Sequence, residues 1–322
     1  HNMLKSYVNH TELLSSNWGQ SYSNYGCGAN YNALMPESSC TATCFHCAAG
    51  CVAVAIGQIM NYWGYATGDY ANFDWWNMPD ELSIYSPNLS EEKMAISYLF
   101  KRIGDKVSMN YCSNANCESG AYPDDADNAF EDFGYKDDMD YKRKQWHTYN
   151  SWVNILKTEI LAERPVLYNY LGKHTFVCDG YDSSNDNFHF NFGWNEECNI
   201  WIDFEDIDSQ NCQHCPEYSS LKEHTCWVNI RPDLSPAVFL RNKTIQTTSN
   251  DIWAKNKTYQ AKIYLSAAGD NTTVTVMDSA TCRLIAGDSI VLRPGFHAQP
   301  GSSLLCKIFR KPTLKEGDIT AT

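Results

Sequence analysis

The sequence predicts an α+β domain followed by a small all-β module. Segments with the apolar spacing of amphipathic helices come first, and short segments rich in Val, Phe and Tyr, typical of strands, follow between residues 166 and 192. A Pro-containing breaker at residues 231–236 then precedes a stretch, residues 272–276, in which Thr and Val alternate. We therefore divide the chain into a larger domain, residues 1–231, and an all-β module, residues 232–322.

Three helices are predicted in the larger domain. Apolar residues recur every three to four positions in residues 51–62, which favours a helix with one buried face. Residues 90–101 predict a second helix, with Ser90 as its N-cap residue. Residues 152–163 predict a third helix, which ends before Pro165 because proline cannot continue a helix.

Three strands are predicted after these helices. Residues 166–170 and 174–178 are joined by a tight turn at Gly172, and residues 188–192 form a further strand. Helices that precede a sheet, instead of alternating with its strands, are typical of the α+β class.

Composition excludes several classes of protein. The chain of 322 residues is 43% hydrophobic and 20% charged, as in water-soluble globular proteins. Its net charge of −13 argues against a nucleic-acid partner, since such proteins need Lys and Arg to neutralise phosphates. No run of about 18 uncharged apolar residues occurs, so no membrane span is expected.

Fourteen cysteines indicate an oxidising compartment and several disulfides, whose connectivity cannot be predicted from the sequence. Disulfides are expected within a closely spaced group, namely Cys27, Cys40, Cys44 and Cys47. A zinc site is the alternative, because the four cysteines between residues 40 and 51, together with His46, have a spacing that could bind the metal. A zinc ion bound there would take Cys51 as one of its ligands.

Cys51 is the candidate nucleophile. Gly50 precedes it and allows a sharp turn, so that the thiol lies in the first turn of the predicted helix. The positive end of the helix dipole, and a protonated histidine nearby, favour a thiolate there. Without such a partner, a cysteine at a helix start is more often a packing or disulfide residue.

A histidine and an asparagine complete the candidate site. His174 begins a predicted strand and could act as the general base for Cys51. The Asn191 amide oxygen could accept the second imidazole N–H, with Trp194 shielding that bond from water. The order Cys, His, Asn along the chain is that of papain-like peptidases. Alone, His174 would be an ordinary surface or core histidine, and His189, on the same strand as Asn191, is taken as structural.

Three segments resemble the streptopain family of bacterial cysteine peptidases. Residues 49–63 resemble its nucleophile helix, residues 174–180 its His-Ala-Phe-Val-x-Asp-Gly strand, and residues 191–194 its Asn-Trp-Gly-Trp loop. The resemblance covers residues 14–205 and keeps the order of the segments along the chain.

The chain departs from the family pattern at four places. Thr175 stands in place of Ala, Phe192 in place of the first Trp, and residues 195–198 (Asn-Glu-Glu-Cys) where the family tends to have glycines. The Gly-rich run expected before His174 is reduced to residues 171–173 (Leu-Gly-Lys), a shorter and charged flap that should alter substrate access. We expect activity to survive these changes, whereas substrate specificity cannot be carried over.

The resemblance implies a papain-like two-lobed fold, with a helical lobe and an antiparallel β lobe, and an endopeptidase made as a zymogen with an inhibitory N-terminal prosegment. Its substrates would be proteins or peptides, and no metal or organic cofactor would be needed. Gln20 lies where such enzymes place an oxyanion-hole glutamine, the alternative being an exposed loop residue. Ser119, Gly120 and Ala121 would line the pocket for the residue two places before the scissile bond, and Trp194 would also meet substrate.

Residues 288–298 and 300–302 resemble a tail motif common in secreted proteins of Bacteroidetes, which predicts a secreted or cell-surface bacterial protein. A β-sandwich or a short β-stack is expected there, without a catalytic role. Two other functions stay open: a degenerate peptidase that serves as a binding module, and a papain-fold acyltransferase that uses the same Cys and His.

Overall fold

The computed structural model describes residues 10–67, 73–170, 172–204, 224–234, 237–245, 256–261, 264–269, 271–286 and 289–308. The chain divides into two compact units. The first comprises residues 1–64 and 75–232, and the second comprises residues 65–74 and 233–322. Segment 65–74, which the sequence analysis assigned to the larger domain, thus belongs with the second unit. Among the helices that the structure describes, none is long and apolar enough to cross a membrane.

The first unit contains four α-helices: α1 Cys51–Trp63, α2 Leu89–Lys106, α3 Ala126–Asp132 and α4 Tyr149–Leu161. Short 3-10 helices occupy Gly26–Ala29, Thr41–Thr43, Trp75–Asn77, Pro123–Asp125 and Lys144–Trp146. The predicted helix at residues 51–62 is confirmed, because α1 buries nearly its whole length in the core.

The predicted start of α2 was wrong, as its N-cap residue is Asn88 and not Ser90, which lies inside the helix. The Asn88 side chain makes no capping hydrogen bond, while Glu91 and Glu92 place favourable negative charge in the first turn. α4 begins earlier than predicted because the Thr148 hydroxyl accepts the Ser151 N–H at 3.2 Å.

Seven strands form one antiparallel sheet in the first unit: β1 His10–Glu12, β2 Asp140–Arg143, β3 Val166–Tyr170, β4 His174–Asp182, β5 Asn187–Asn191, β6 Ile200–Ile202 and β7 His224–Val228. Their order is β2-β7-β3-β4-β5-β6, and β1 pairs with β4. The predicted β3–β4 hairpin is confirmed, with Gly172 in its turn at a φ of 72°.

The two faces of the sheet have different neighbours. Trp152 and Leu156 of α4 pack on one face, in a core with Tyr168, Phe176 and Phe190. Because side chains alternate across a strand, the residues between these positions project to the opposite face, where α1 packs against β4. The sheet therefore positions β4 and β5 side chains against the helix that begins at the candidate nucleophile.

The second unit is a stack of parallel coils. Its strands are β8 Ala237–Leu240, β9 Lys243–Ile245, β10 Asn256–Ala261, β11 Tyr264–Ala267, β12 Val274–Val276, β13 Thr281–Ala286, β14 Ser289–Leu292, β15 Phe296–Ala298 and β16 Ser303–Ile308. They form three parallel three-stranded sheets, each taking one strand from every successive coil. The all-β prediction is confirmed, and of its two forms the structure shows the stack, not the sandwich.

A buried ion pair joins the end of segment 65–74 to the coils of this unit. Arg283 of β13 is 5% exposed, and its guanidinium lies 2.6 Å from the Asp74 carboxylate. A buried guanidinium needs a charged partner, since its desolvation cost is otherwise uncompensated. This pairing gives a physical reason for segment 65–74 to group with the coils.

Candidate active site

Cys51 is the first residue of α1, directly after a glycine that no other residue could replace easily. Gly50 has a φ of 88°, and a Cβ there would lie 2.7 Å from the Met109 sulfur and 3.1 Å from the Ser119 carbonyl oxygen. The backbone can therefore approach residues 109–119 closely only because position 50 carries no side chain. Cys51 keeps partial exposure in this turn.

Three disulfides surround this turn: Cys27–Cys44, Cys40–Cys117 and Cys47–Cys112. Of the pairings expected within the group at residues 27–47, only Cys27–Cys44 forms, since the other two cysteines reach across to the segment at residues 112–117. The zinc alternative was wrong, because disulfide sulfurs are not thiolate ligands. Cys51 stays a free thiol, as a nucleophile requires.

His174, at the start of β4, lies in an aromatic stack. Its ring stacks on Trp194 with the centroids 4.3 Å apart, and the Phe176 and Phe192 rings lie 5.8 and 6.1 Å away. The residue is 5% exposed, and its Nε2 lies 2.8 Å from the Phe192 carbonyl oxygen. Since a carbonyl can only accept, Nε2 carries the proton, and Nδ1 is the nitrogen available as a base.

The hydrogen bond predicted between His174 and the Asn191 side chain was wrong. Asn191 Nδ2 donates to the Ser16 carbonyl at 2.9 Å, and its Oδ1 accepts from Gln58 Nε2 at 3.1 Å and from the Gly193 N–H at 3.1 Å. Asn191 projects towards α1, whereas the aromatic ring of Phe192 joins the core on the other face. The Phe192 backbone carbonyl instead orients the imidazole.

Replacing Asn191 with alanine is expected to lower the free energy of unfolding by about 2–3 kcal/mol, because several buried polar groups would lose their partner. Urea denaturation of the variant beside the parent measures the change. A matched exposed control is Asn154→Ala on α4. Equal stability of the two variants would show that the Asn191 contacts do not hold the end of β5 in place.

Burial sets the protonation states of the candidate pair. Burial raises the pKa of the Cys51 thiol above its ordinary value, an effect partly offset by hydrogen bonds from the Thr175 backbone and side chain. Burial likewise lowers the pKa of His174 to about 4, although the Phe192 carbonyl favours its charged form. The helix start was expected to favour a thiolate, but desolvation outweighs it here. A neutral thiol at Cys51 and a neutral imidazole at His174 are therefore the states favoured without substrate.

Two buried histidines make stability depend on pH. Burial lowers the pKa of both His174 and His224 to about 4, below the ordinary value of 6.5. Above pH 6.5 both are neutral whether folded or unfolded, and as the pH falls the unfolded chain takes up protons first. We expect the free energy of unfolding to fall between pH 6.5 and 4 by roughly 3 kcal/mol for each histidine. Urea denaturation at pH 6.5 and 4.5 tests this, and a His224→Gln variant should show a smaller fall than its parent.

Gln20 lies next to the turn before the nucleophile. The Ala49 N–H donates to the Gln20 carbonyl at 3.1 Å, and Gly19 forms an isolated bridge with Trp194. The Gln20 side chain is half-buried. The backbone of residues 19–20 thus contacts both the turn before the nucleophile and the tryptophan that stacks on His174.

One of the predicted pocket residues lies against the nucleophile turn. The Ala48 N–H donates to the Cys117 carbonyl at 3.0 Å, and the Ser119 carbonyl lies against Gly50. Ser119 is buried, Gly120 is exposed and Ala121 is half-buried. The segment that contains these three residues thus meets the turn that carries Cys51.

Sequence reasoning missed Gln58. It is fully buried on α1, its Oε1 accepts from the Trp18 N–H at 3.2 Å and the Ser16 hydroxyl at 3.3 Å, and its Nε2 donates to Asn191. Gln58 lies seven residues after Cys51 and therefore on the same side of the helix. A glutamine in the buried stripe of an otherwise apolar helix was the available signal.

A second polar cluster lies away from the nucleophile turn. Ligand atoms of Glu12, Asp179 and His189 all lie within 4.8 Å of one another, a set that could hold a metal ion. His189 Nδ1 lies 2.7 Å from Asp179 Oδ1, and the Leu14 N–H donates to the other oxygen of that carboxylate at 3.2 Å. The buried carboxylate thus has protein partners, and His189 has the contacts expected of a structural residue.

Relatives with related sequences include two proteases. The thiol protease/hemagglutinin PrtT of Porphyromonas gingivalis is 31% identical over 45% of this chain and 19% of its own length. Streptopain of Streptococcus pyogenes is 30% identical over 53% of this chain and 50% of its own length. This chain therefore spans at most about half the length of these curated relatives.

Solved structures with a related fold include interpain A of Prevotella intermedia, a cysteine protease. Active wild-type interpain A is 24% identical, with a TM-score of 0.53 over 69% of this chain and 95% of that chain. A fragment of prointerpain A is 23% identical, with a TM-score of 0.52 over 69% of this chain and 72% of that chain. At this identity the likeness establishes the fold, a papain-like arrangement of helices and antiparallel sheet.

The sequence model of the peptidase C10 family matches residues 25–201, which include Cys51, His174 and Asn191. This match extends over more than half of the chain and contains the elements that meet at the nucleophile turn. The chain therefore belongs to the peptidase C10 family.

Proposed function

We propose that this protein is a cysteine endopeptidase in which Cys51 is the nucleophile and His174 the general base and acid. The observation that carries the proposal is the state of Cys51: a free thiol at a helix start, among cysteines paired in disulfides, hydrogen-bonded to the residue that follows His174. A thiol that can attack a carbonyl and an imidazole with an unprotonated Nδ1 are the two groups that acyl transfer through a covalent intermediate requires.

Catalysis proceeds through a thioester. His174 Nδ1 takes the thiol proton as the Cys51 sulfur attacks the peptide carbonyl, and the Phe192 carbonyl stabilises the imidazolium through Nε2. Burial opposes either charge alone, but two opposite charges formed together attract each other, which favours proton transfer in step with attack. The imidazolium then protonates the leaving amine. A water molecule, deprotonated by His174, attacks the thioester and releases the carboxylic acid and the thiol.

Gln20 and the Cys51 backbone N–H would hold the negative oxygen of the tetrahedral intermediate. Gln20→Ala should lower kcat by about 10²–10³-fold with little change in KM, because an oxyanion donor acts mainly in the transition state. Steady-state hydrolysis of a fluorogenic peptide measures both constants, with Gln299→Ala in the second unit as a control. A change confined to KM would remove Gln20 from this role.

We further propose a secreted or cell-surface bacterial location and synthesis as a zymogen with an inhibitory prosegment. Three disulfides close to the nucleophile turn support an oxidising compartment. The prointerpain A fragment, a proform of a protein with a related fold, supports a prosegment. Expression with and without a preceding segment, followed by disulfide mapping and activity measurement, tests both.

Casein hydrolysis under mild reduction, with and without a small amine acceptor, tests the proposed activity. Endopeptidase activity predicts new peptide termini produced by water in both reactions. Amine conjugates as the dominant products would favour the acyltransferase alternative. A folded protein that gives neither product would favour the degenerate binding module.

A further inference from the structure

A buried line of polar side chains leads to the nucleophile. Thr175 of β4, Asn169 of β3 and Thr225 of β7 are 2%, 4% and 0% exposed. They are cross-strand neighbours, because Asn169 lies opposite Thr175 on one side and opposite Thr225 on the other. Three polar side chains in an otherwise apolar sheet are costly unless each is hydrogen-bonded.

Each member of this line has a partner. The Thr175 hydroxyl donates to Asn169 Oδ1 at 3.0 Å, and Asn169 Nδ2 donates to the Thr225 hydroxyl at 3.1 Å. At its inner end, Thr175 projects to the face of the sheet against which α1 packs, and hydrogen bonding from its backbone and hydroxyl lowers the pKa of the Cys51 thiol. We call Thr175, Asn169 and Thr225 the polar ladder. Its inner end is the residue at which this chain departs from the Ala of the streptopain-type strand.

We propose that Thr175 is a positioning residue for the nucleophile, and that its hydroxyl hydrogen-bonds the Cys51 sulfur in both the thiol and the thiolate states. The inference rests on the proposed peptidase function of Cys51. It assigns to Thr175 a role that an apolar residue at this position could not fill.

The polar ladder can hydrogen-bond both the thiol and the thiolate of Cys51. A hydroxyl can rotate its proton towards another acceptor, and an amide can turn over so that its N–H and C=O groups exchange places. With the thiol protonated, the S–H donates to Thr175 Oγ1, whose own proton goes to Asn169 Oδ1. When the proton leaves for His174, the Thr175 O–H turns to the thiolate. The Asn169 amide then turns to donate to Thr175 and to accept from the Thr225 hydroxyl. No proton changes its residue within the ladder, and every member keeps a partner.

Few other groups act on the Cys51 sulfur. The backbone N–H groups of Val52 and Cys51 itself also favour the thiolate. At the outer end of the ladder, Thr225 hydrogen-bonds the Tyr141 hydroxyl, which donates to Asp124 at 2.7 Å. Among the described residues, the Thr175 hydroxyl is thus the side-chain donor that lowers the pKa of the Cys51 thiol.

The test is the pH dependence of Cys51 alkylation by iodoacetamide, with peptide hydrolysis measured alongside. Thr175→Val keeps the shape of the side chain and removes the hydroxyl. We expect its apparent pKa for alkylation to rise by about one unit, and kcat/KM at neutral pH to fall about tenfold, since hydrogen bonds to charged groups are among the stronger ones. Thr175→Ser restores the hydroxyl and should follow the wild-type profile.

Thr43→Val is the matched control, because Thr43 is also buried and its hydroxyl bonds only to the backbone carbonyls of Cys40 and His46. It should lower the melting temperature without moving the alkylation profile. If Thr175→Val does not fold, Thr175→Ala, which carries the residue of the family pattern, replaces it. An unchanged profile in the Thr175 variant, or an equal shift in the Thr43 variant, would overturn the inference.

The same measurements distinguish a failure of the proposed peptidase function from a failure of the proposed role of Thr175. If the folded wild-type protein hydrolyses no peptide, the peptidase assignment is lost. If the wild type is active but Thr175→Val is indistinguishable from it, only the role of the ladder is lost.

Discussion

Replacing Cys51 with alanine is expected to abolish proteolysis, with kcat/KM lowered by at least about 10⁴-fold, because the proposed acyl-enzyme forms on the Cys51 sulfur. The fold should be kept, since the residue is partly exposed and alanine suits a first helical turn. Casein or peptide hydrolysis by the purified variant, with circular dichroism to verify folding, measures the effect.

Cys306→Ala is the control for this experiment. Cys306 is also a free thiol and is exposed on β16 of the second unit. Its removal should leave hydrolysis unchanged. Loss of activity in this variant together with retained activity in Cys51→Ala would move the chemistry to another thiol.

Replacing His174 with glutamine is expected to lower kcat by about 10³-fold or more, because general acid and base catalysis are both lost. Glutamine keeps a donor for the Phe192 carbonyl but cannot accept the thiol proton near neutral pH. The alkylation of Cys51 by iodoacetamide should also slow, because no imidazole remains to accept the thiol proton. Single-turnover hydrolysis and the alkylation rate between pH 5 and 9 provide the two measurements.

His224→Gln is the matched variant, because His224 is also buried with a pKa lowered to about 4, and its Nδ1 lies 2.9 Å from the Tyr168 hydroxyl, away from the nucleophile. Its activity per folded molecule should stay near that of the parent. A similar loss in both variants would attribute the effect of His174 to folding instead of to proton transfer.

Local periodicity was sufficient to predict the elements that hold the site. α1 and the β3–β4 hairpin follow from residues close in sequence, namely the apolar stripe after Cys51 and the glycine turn before His174. Cys51 and His174, the residues proposed to react, were also identified from the sequence, because their order and their surrounding segments resemble a known family.

The orientation of the imidazole could not be predicted, because it depends on which face of the sheet each residue occupies. The β4–β5 pairing shifts register between Cys178 and Gly180, and at the end of β5 Asn191 projects towards α1. The Phe192 carbonyl, a backbone group that leaves no mark in the sequence, takes the position expected of an amide oxygen.

The disulfide pairing and the coil stack depend on contacts between distant residues. Cys40 and Cys47 pair with cysteines 77 and 65 residues away, although nearer cysteines exist. In the second unit, Thr281 lies opposite Asn256 and Ser303, so that its neighbours come from successive coils. Alternating Thr and Val predict strands there but carry no information on parallel pairing.

Covalent labelling by an irreversible epoxide inhibitor of cysteine peptidases, under mild reduction and with mass spectrometry of the digested protein, shows whether Cys51 is the nucleophile. We expect selective modification of Cys51 and a loss of casein hydrolysis in proportion to it. Hydrolysis that persists after Cys51 is fully modified, or a Cys51 that stays unlabelled while casein is cleaved, would contradict it.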